Sequence, residues 1–186
     1  MGEIMNVLVH GFNTSNPENT VGKLDKYLTP ATIFDYGWFG LLSVIFRNKK
    51  EAERLKGILN PNDVVWAHSN GAAISVEAAK QGAIFDTLVC INPALKVDTV
   101  FPKTIRRIIV IHTEHDKPTR AAAFFDKVPF VQLIVPNAWG KMGAKGAKLL
   151  DERVYNMDWS NQLKGHSDFF DDDNLKSILP VILERL

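Results

Sequence analysis

The chain has 186 residues, 46% of them hydrophobic, which suits a single domain with a well-filled core. The 22 Lys and Arg against 21 Asp and Glu leave a net charge of +1 with no basic stripe, which argues against a nucleic-acid partner. Its single cysteine, Cys90, cannot form an internal disulfide and sits in an apolar run that suits packing as a small hydrophobe.

In chain order, the first residues read as a strand over 4–9 rather than as a basic segment with an apolar signal core. Gly2 suits the start of a myristoylation motif, but Asn6 stands where that motif needs Ser or Thr. Helical spacing follows over 19–28, then a second strand over 32–36. Trp38, Phe39 and the run from Leu41 to Phe46 are too apolar for a plain loop. They could wall an acyl pocket, with core packing the preferred reading for 41–46. A helix over 49–59 with Asn48 as its cap leads to a strand over 63–67 and a helix over 71–81. Strands at 87–91 and 107–112 and a helix over 119–126 come next. The stretch 136–148 reads as loop-like or irregularly helical, and its Trp139 and Met142 could add to such an acyl wall. A last strand over 153–157 and an acidic run over 168–173 precede the final helix, 173–183. No apolar run approaches the roughly 18 residues needed to cross a bilayer, so the expectation is a soluble, cytoplasmic protein without stable membrane insertion.

Alternating strands and helices imply parallel strands joined by right-handed crossovers, with helices on both faces of the sheet. The expected fold is α/β: one domain over 1–186, three layers α/β/α, with a mostly parallel sheet of about six strands. No repeat or linker marks a boundary.

In such a sheet, ligands collect at the carboxyl ends of the strands. Those ends carry His10-Gly11-Phe12-Asn13, His68-Ser69-Asn70-Gly71, Thr113-Glu114-His115-Asp116 and Gly165-His166-Ser167-Asp168. A hydroxyl, a carboxylate and an imidazole therefore gather on one rim. Serine is a weak nucleophile until a base takes its proton, histidine is that base near neutral pH, and a carboxylate orients the imidazole. Ser69 at a strand-to-helix turn could also serve merely as an N-cap, and Asp116 could organise the turn before Pro118. Against the cap reading, Ala67, Gly71, Ala72 and Ala73 supply the small residues that a sharp corner displaying a nucleophile requires.

Ala67-His68-Ser69-Asn70-Gly71 resembles the nucleophile elbow of the α/β-hydrolase family, with alanine in place of the first glycine. The order Ser69, Asp116, His166 and the His10-Gly11-Phe12 segment after the first strand are similar to that family as well. The resemblance implies a trimmed, cap-less version of the fold, lacking the two strands that usually come first, with strands in the spatial order 2-1-3-4-5-6. It implies Ser69 as nucleophile, His166 as base, Asp116 as orienting acid, and the backbone N–H groups of Phe12 and Asn70 as oxyanion donors. Asp98, after the fourth strand, is the rival acid, since some lipases of the family carry theirs there.

His10, His68, His112 and His115 also fall at strand ends, but none lies in a zinc-like motif, so no metal is expected. The glycines from Gly140 to Gly146 lack the Gly-Lys-Ser/Thr ending of a phosphate loop and read as a surface loop rimming the site. The expected activity is that of a serine carboxylesterase or lipase-like hydrolase acting on a small ester or acyl substrate without a cofactor. An acyltransferase or thioesterase with the same triad, and a non-catalytic binding protein on the same fold, are the alternatives. Nothing in the sequence fixes the oligomeric state.

Overall fold

The computed structural model describes residues 4–12, 14, 16–37, 41–120 and 139–186, the side chains of 41–46 excepted. Gly2, Trp38, Phe39, the side chains of Leu41 to Phe46, residues 136–138 and all but the first two residues of the helix expected over 119–126 lie outside that set.

Six strands form one sheet: β1 Asn6–Val9, β2 Ala31–Phe34, β3 Val64–His68, β4 Phe85–Ile91, β5 Ile105–His112 and β6 Val154–Asp158. Their order is β2-β1-β3-β4-β5-β6, and every pair is parallel. The inner strands β3, β4 and β5 are almost wholly buried, whereas the edge strands β2 and β6 are half-exposed. Burial on both faces is why the inner strands read as unbroken apolar runs.

Alternate residues of each strand feed two separate cores, as the two-residue period of a strand requires. Val7, Val9, Val65, Ala67, Leu88, Cys90, Ile108 and Val110 pack with residues of α1 (Leu41–Lys56) and α2 (Asn70–Lys80). Leu8, Trp66, Val89, Ile91, Ile109 and Ile111 pack on the other face. There they meet Leu175, Ile178, Leu179 and Ile182, whose spacing forms one stripe along the last helix, Asp172–Leu183.

The segment expected as a helix over 19–28 is instead two 3-10 turns, Pro17–Asn19 and Val21–Lys26. Pro17 starts the first, and Gly22 in the second lies so close to the first that an added Cβ would sit 3.0 Å from the Pro17 carbonyl oxygen. Buried Val21 and Leu24 keep the three-residue spacing that resembles an α-helical stripe. Asn48 does not cap the second helix: α1 begins at Leu41, so the apolar run 41–46 forms its first turns and Asn48 lies in its middle. The glycine-rich stretch is no surface loop either. A short helix, α3 (Met142–Lys145), carries buried Met142, Gly143 and Ala144. Its backbone is tied to the rest of the fold by Met142 N–H to Leu95 O (2.9 Å), Gly143 N–H to Pro93 O (2.9 Å) and Thr113 N–H to Gly143 O (3.0 Å). The final helix, α4, spans Asp172–Leu183. Among the described residues no helix is long and apolar enough to cross a membrane.

Candidate active site

Register brings the relevant strand ends together. Val9 pairs with Ala67 and Ala67 with Cys90, so the segment after β1 lies beside the corner after β3. At that corner Ser69 has φ 51° and ψ −116°, a conformation an L-residue rarely adopts. It is held there by Ser69 N–H donating to Ile91 O (3.0 Å) and by Ser69 O accepting from Ala72 N–H (3.2 Å) and Ala94 N–H (3.0 Å). The hydroxyl makes no capping bond to α2, so the N-cap reading does not describe it. The turn needs Gly71: a Cβ there would lie 2.5 Å from Val9 O and 2.6 Å from His10 O. Gly11 faces the corner from the other side, where an added Cβ would lie 3.1 Å from the Ser69 Cβ.

His166 lies in the loop after β6, and its Nδ1 is 2.9 Å from Asp116 Oδ1. Asp116 is fully buried and also accepts from Thr119 N–H (3.1 Å), which anchors it to the helical turn over 117–120. A carboxylate only accepts, so Nδ1 carries the proton, and Nε2 is the nitrogen through which this ring can exchange a proton with a substrate. Asp98, the rival acid, is exposed, and no hydrogen bond joins it to His166 among the described residues.

The His166 loop is clamped by residues that sequence reasoning missed. Asn92, at the end of β4 with φ 43°, donates its amide N–H to His166 O at 2.6 Å. His68 Nε2–H donates to the same carbonyl at 3.2 Å. Since a carbonyl only accepts, His68 carries its proton on Nε2, and its buried Nδ1 is left without a partner among the described residues. Burial, reinforced by the nearby His166 ring, holds the His68 imidazole well below its usual pKa, so it stays neutral. Thr113 Oγ1–H donates to Leu163 O (2.6 Å), tying the ends of β5 and of the loop after β6 together.

Behind the corner, Asn70 and Asn48 exchange amide bonds of 2.9 and 3.0 Å between α2 and α1. Trp139 donates its indole N–H to the Asn70 Oδ1 (2.8 Å), and its ring meets Phe12 at 5.2 Å. One tryptophan thus touches both segments whose N–H groups were expected to serve an oxyanion. Asn70 opens α2, so its own backbone N–H has no acceptor within the helix. On the β1 side, Tyr36 O–H donates to His10 O (2.9 Å), and burial pushes its phenol up and keeps it protonated.

The other histidines lie beside carboxylates, although the buried Nδ1 of His112 makes no hydrogen bond among the described residues. His10 is buried, stacks on Tyr36 at 3.9 Å and lies 3.2 Å from Asp35. His112 is buried near Asp158, and His115 lies beside Glu114. Among the described residues, no group of three His, Cys, Asp or Glu could hold a metal ion. Met142 is fully buried in the core, so it lines no pocket.

An open cleft of about 290 Å³ lies against this rim, lined by His68, His166, Ser167 and Phe12. Thr14, Asn16, Asn19 and Thr20 complete it.

No family model matches the chain, and no curated protein is similar to it in sequence. Solved structures are similar in fold. A protein named provisionally as a YdeN-like hydrolase from Pectobacterium atrosepticum is 14% identical with a TM-score of 0.57, the match covering 98% of this chain and 90% of that one. A provisionally named cell surface hydrolase from Lactobacillus plantarum is 10% identical with a TM-score of 0.53, over 97% and 90% of the two chains. The chain is therefore an α/β protein whose six-stranded, all-parallel sheet matches that of hydrolase-fold structures.

Proposed function

We propose that this protein is a serine hydrolase that cleaves carboxylic esters through an acyl-enzyme. One observation carries the reading: a strained serine without a capping bond follows β3, and an imidazole in the loop after β6 has its Nδ1 held by a buried carboxylate, although no hydrogen bond joins the Ser69 and His166 side chains among the described residues. The hydrolase-named fold neighbours support it.

In this mechanism the Ser69 Oγ attacks the ester carbonyl while His166 Nε2 takes its proton. Asp116 fixes the ring's tautomer and stabilises the imidazolium. The oxyanion forms within reach of the Phe12 and Asn70 N–H groups; one such donor is typically worth roughly 3 kcal/mol of barrier. The C–O bond to the alcohol then breaks, and that oxygen leaves with the proton from His166. Water, deprotonated by the same imidazole, attacks the acyl-serine; the acyl–Oγ bond breaks, His166 returns the proton to Ser69 Oγ, and the acid is released. No cofactor enters this scheme.

A fluorophosphonate probe tests it. Wild-type protein is expected to be labelled on Ser69 and the Ser69→Ala variant not at all. Equal labelling of both, or of neither, would reject the mechanism and favour a binding protein.

A further inference from the structure

We infer that the leaving alcohol of the substrate is a neutral, polyhydroxylated group bound in the cleft beside His166; this rests on the proposed hydrolase reading. Three observations lead there.

The cleft reaches the base rather than the nucleophile. His166 and Ser167 line it together with His68 and Phe12, whereas Ser69 does not line it among the described residues. In ester cleavage the group next to the base is the departing alcohol, because the proton on Nε2 must reach that oxygen. The acyl carbon stays with Ser69 and the oxyanion donors.

Among the described residues the wall is polar, and its side chains other than the two imidazoles are uncharged. His68 is neutral, and Thr14, Asn16, Asn19, Thr20 and Ser167 present hydroxyls and amides. Among the described residues, neither a carboxylate nor an ammonium is there to pair with a charged alcohol. Phe12 is the sole apolar side chain of the wall among the described residues, too little to hold an alkyl chain.

These polar groups are only partly used by the fold. Asn16 accepts Glu18 N–H on its Oδ1 (2.9 Å), which leaves its amide N–H₂ to donate, and Thr20 bonds the Pro17 carbonyl (3.3 Å). The side chains of Thr14 and Asn19 make no hydrogen bond among the described residues. A wall of mixed donors and acceptors fits hydroxyls, which both donate and accept. About 290 Å³ accommodates a glycerol or a single sugar ring.

The test compares three esters on the full-length protein: butyl butyrate, glycerol 1-butyrate, and methyl 3,4-dihydroxybutyrate, in which the hydroxyls lie on the acyl side. With two additional hydrogen bonds, kcat/KM for the glyceryl ester should exceed that for the butyl ester about tenfold. Thr14→Val and Asn19→Leu, each checked for folding by thermal unfolding, should each reduce that ratio. A ratio below about threefold, or one unchanged in both variants, would overturn the inference. So would a preference for the dihydroxyacyl ester over the glyceryl one. Fluorophosphonate labelling of Ser69 separates the two failures: labelled protein without the preference rejects the alcohol assignment alone, and unlabelled, inactive protein rejects the hydrolase reading along with it.

Discussion

Replacing Gly71 with alanine sets two opposing effects against each other. Alanine is the better helix former by about 1 kcal/mol, and residue 71 lies in the first turn of α2. Against that, the new Cβ would stand 2.5 Å from Val9 O and 2.6 Å from His10 O. Carbon and oxygen ordinarily meet at about 3.3 Å, so the first overlap is about 0.8 Å. Neither oxygen turns away freely: Val9 is paired in register with both Phe34 and Ala67, and His10 O accepts from the Tyr36 hydroxyl at 2.9 Å. Overpacking costs roughly 1–3 kcal/mol, and rigid backbone on the receiving side puts this case at the upper end. The net loss is then about 2 kcal/mol, or a melting temperature roughly 4–8 °C lower for a domain of this size. Circular dichroism melts of the two proteins at equal concentration measure it. Turnover should fall further than stability, because α2 carries Asn70 and moves away from Phe12 as it makes room. A Gly71→Ala protein that melts at or above the wild-type temperature would show that helix propensity wins and that the close approach of α2 to β1 does not exist.

Three further outcomes are expected. Asp116→Asn should lower kcat roughly 10³–10⁴-fold by presenting the wrong donor to His166 Nδ1, whereas Asp98→Asn should stay within about twofold of wild type; ester hydrolysis rates decide between the two acids. His68 remains neutral in the native chain, while the unfolded chain takes up a proton on it below about pH 6.5. The unfolded state then binds more protons, so stability falls as the pH drops through that value, by up to about 1.4 kcal/mol per pH unit for this one group. Urea midpoints that decline from pH 6.5 to 5, and decline less in His68→Gln, would bear this out; a flat wild-type profile would not. Arg153 donates to Asp151 and to the carbonyls of Phe101, Pro102 and Ile105, tying the edge strand β6 to the segment before β5. Arg153→Lys keeps the charge but not the planar fork, and should cost about 2–3 kcal/mol in chemical unfolding.

What could be read from the sequence follows the range over which each feature is determined. The strands were legible because the buried runs of β3, β4 and β5 are local, and their order followed from the resemblance that the elbow carries. Ser69, Asp116 and His166 stood out because each immediately follows a strand or its loop. Longer-range coincidences were hidden. Asn48 looked like a cap because Asn favours caps; its amide partner, Asn70, lies 22 residues away on another helix. Gly140 and Gly143 looked like loop glycines, yet added Cβ atoms would stand 2.4 Å from Lys96 Cα and from Asp116 Oδ2. Those glycines are small because other backbone and the Asp116 carboxylate press on them. Asn92 offered one local hint, an Asn at a strand end where a positive φ is tolerable, but nothing in the sequence tied it to the His166 carbonyl.

The central claim concerns the covalent fate of one hydroxyl. Acid-quenching the protein during turnover of p-nitrophenyl acetate and weighing the intact chain tests it most directly. The account predicts a species heavier by one acetyl group, with peptide mapping placing that group on Ser69. Release of p-nitrophenol without an acylated protein, or acylation at a different residue, would contradict it.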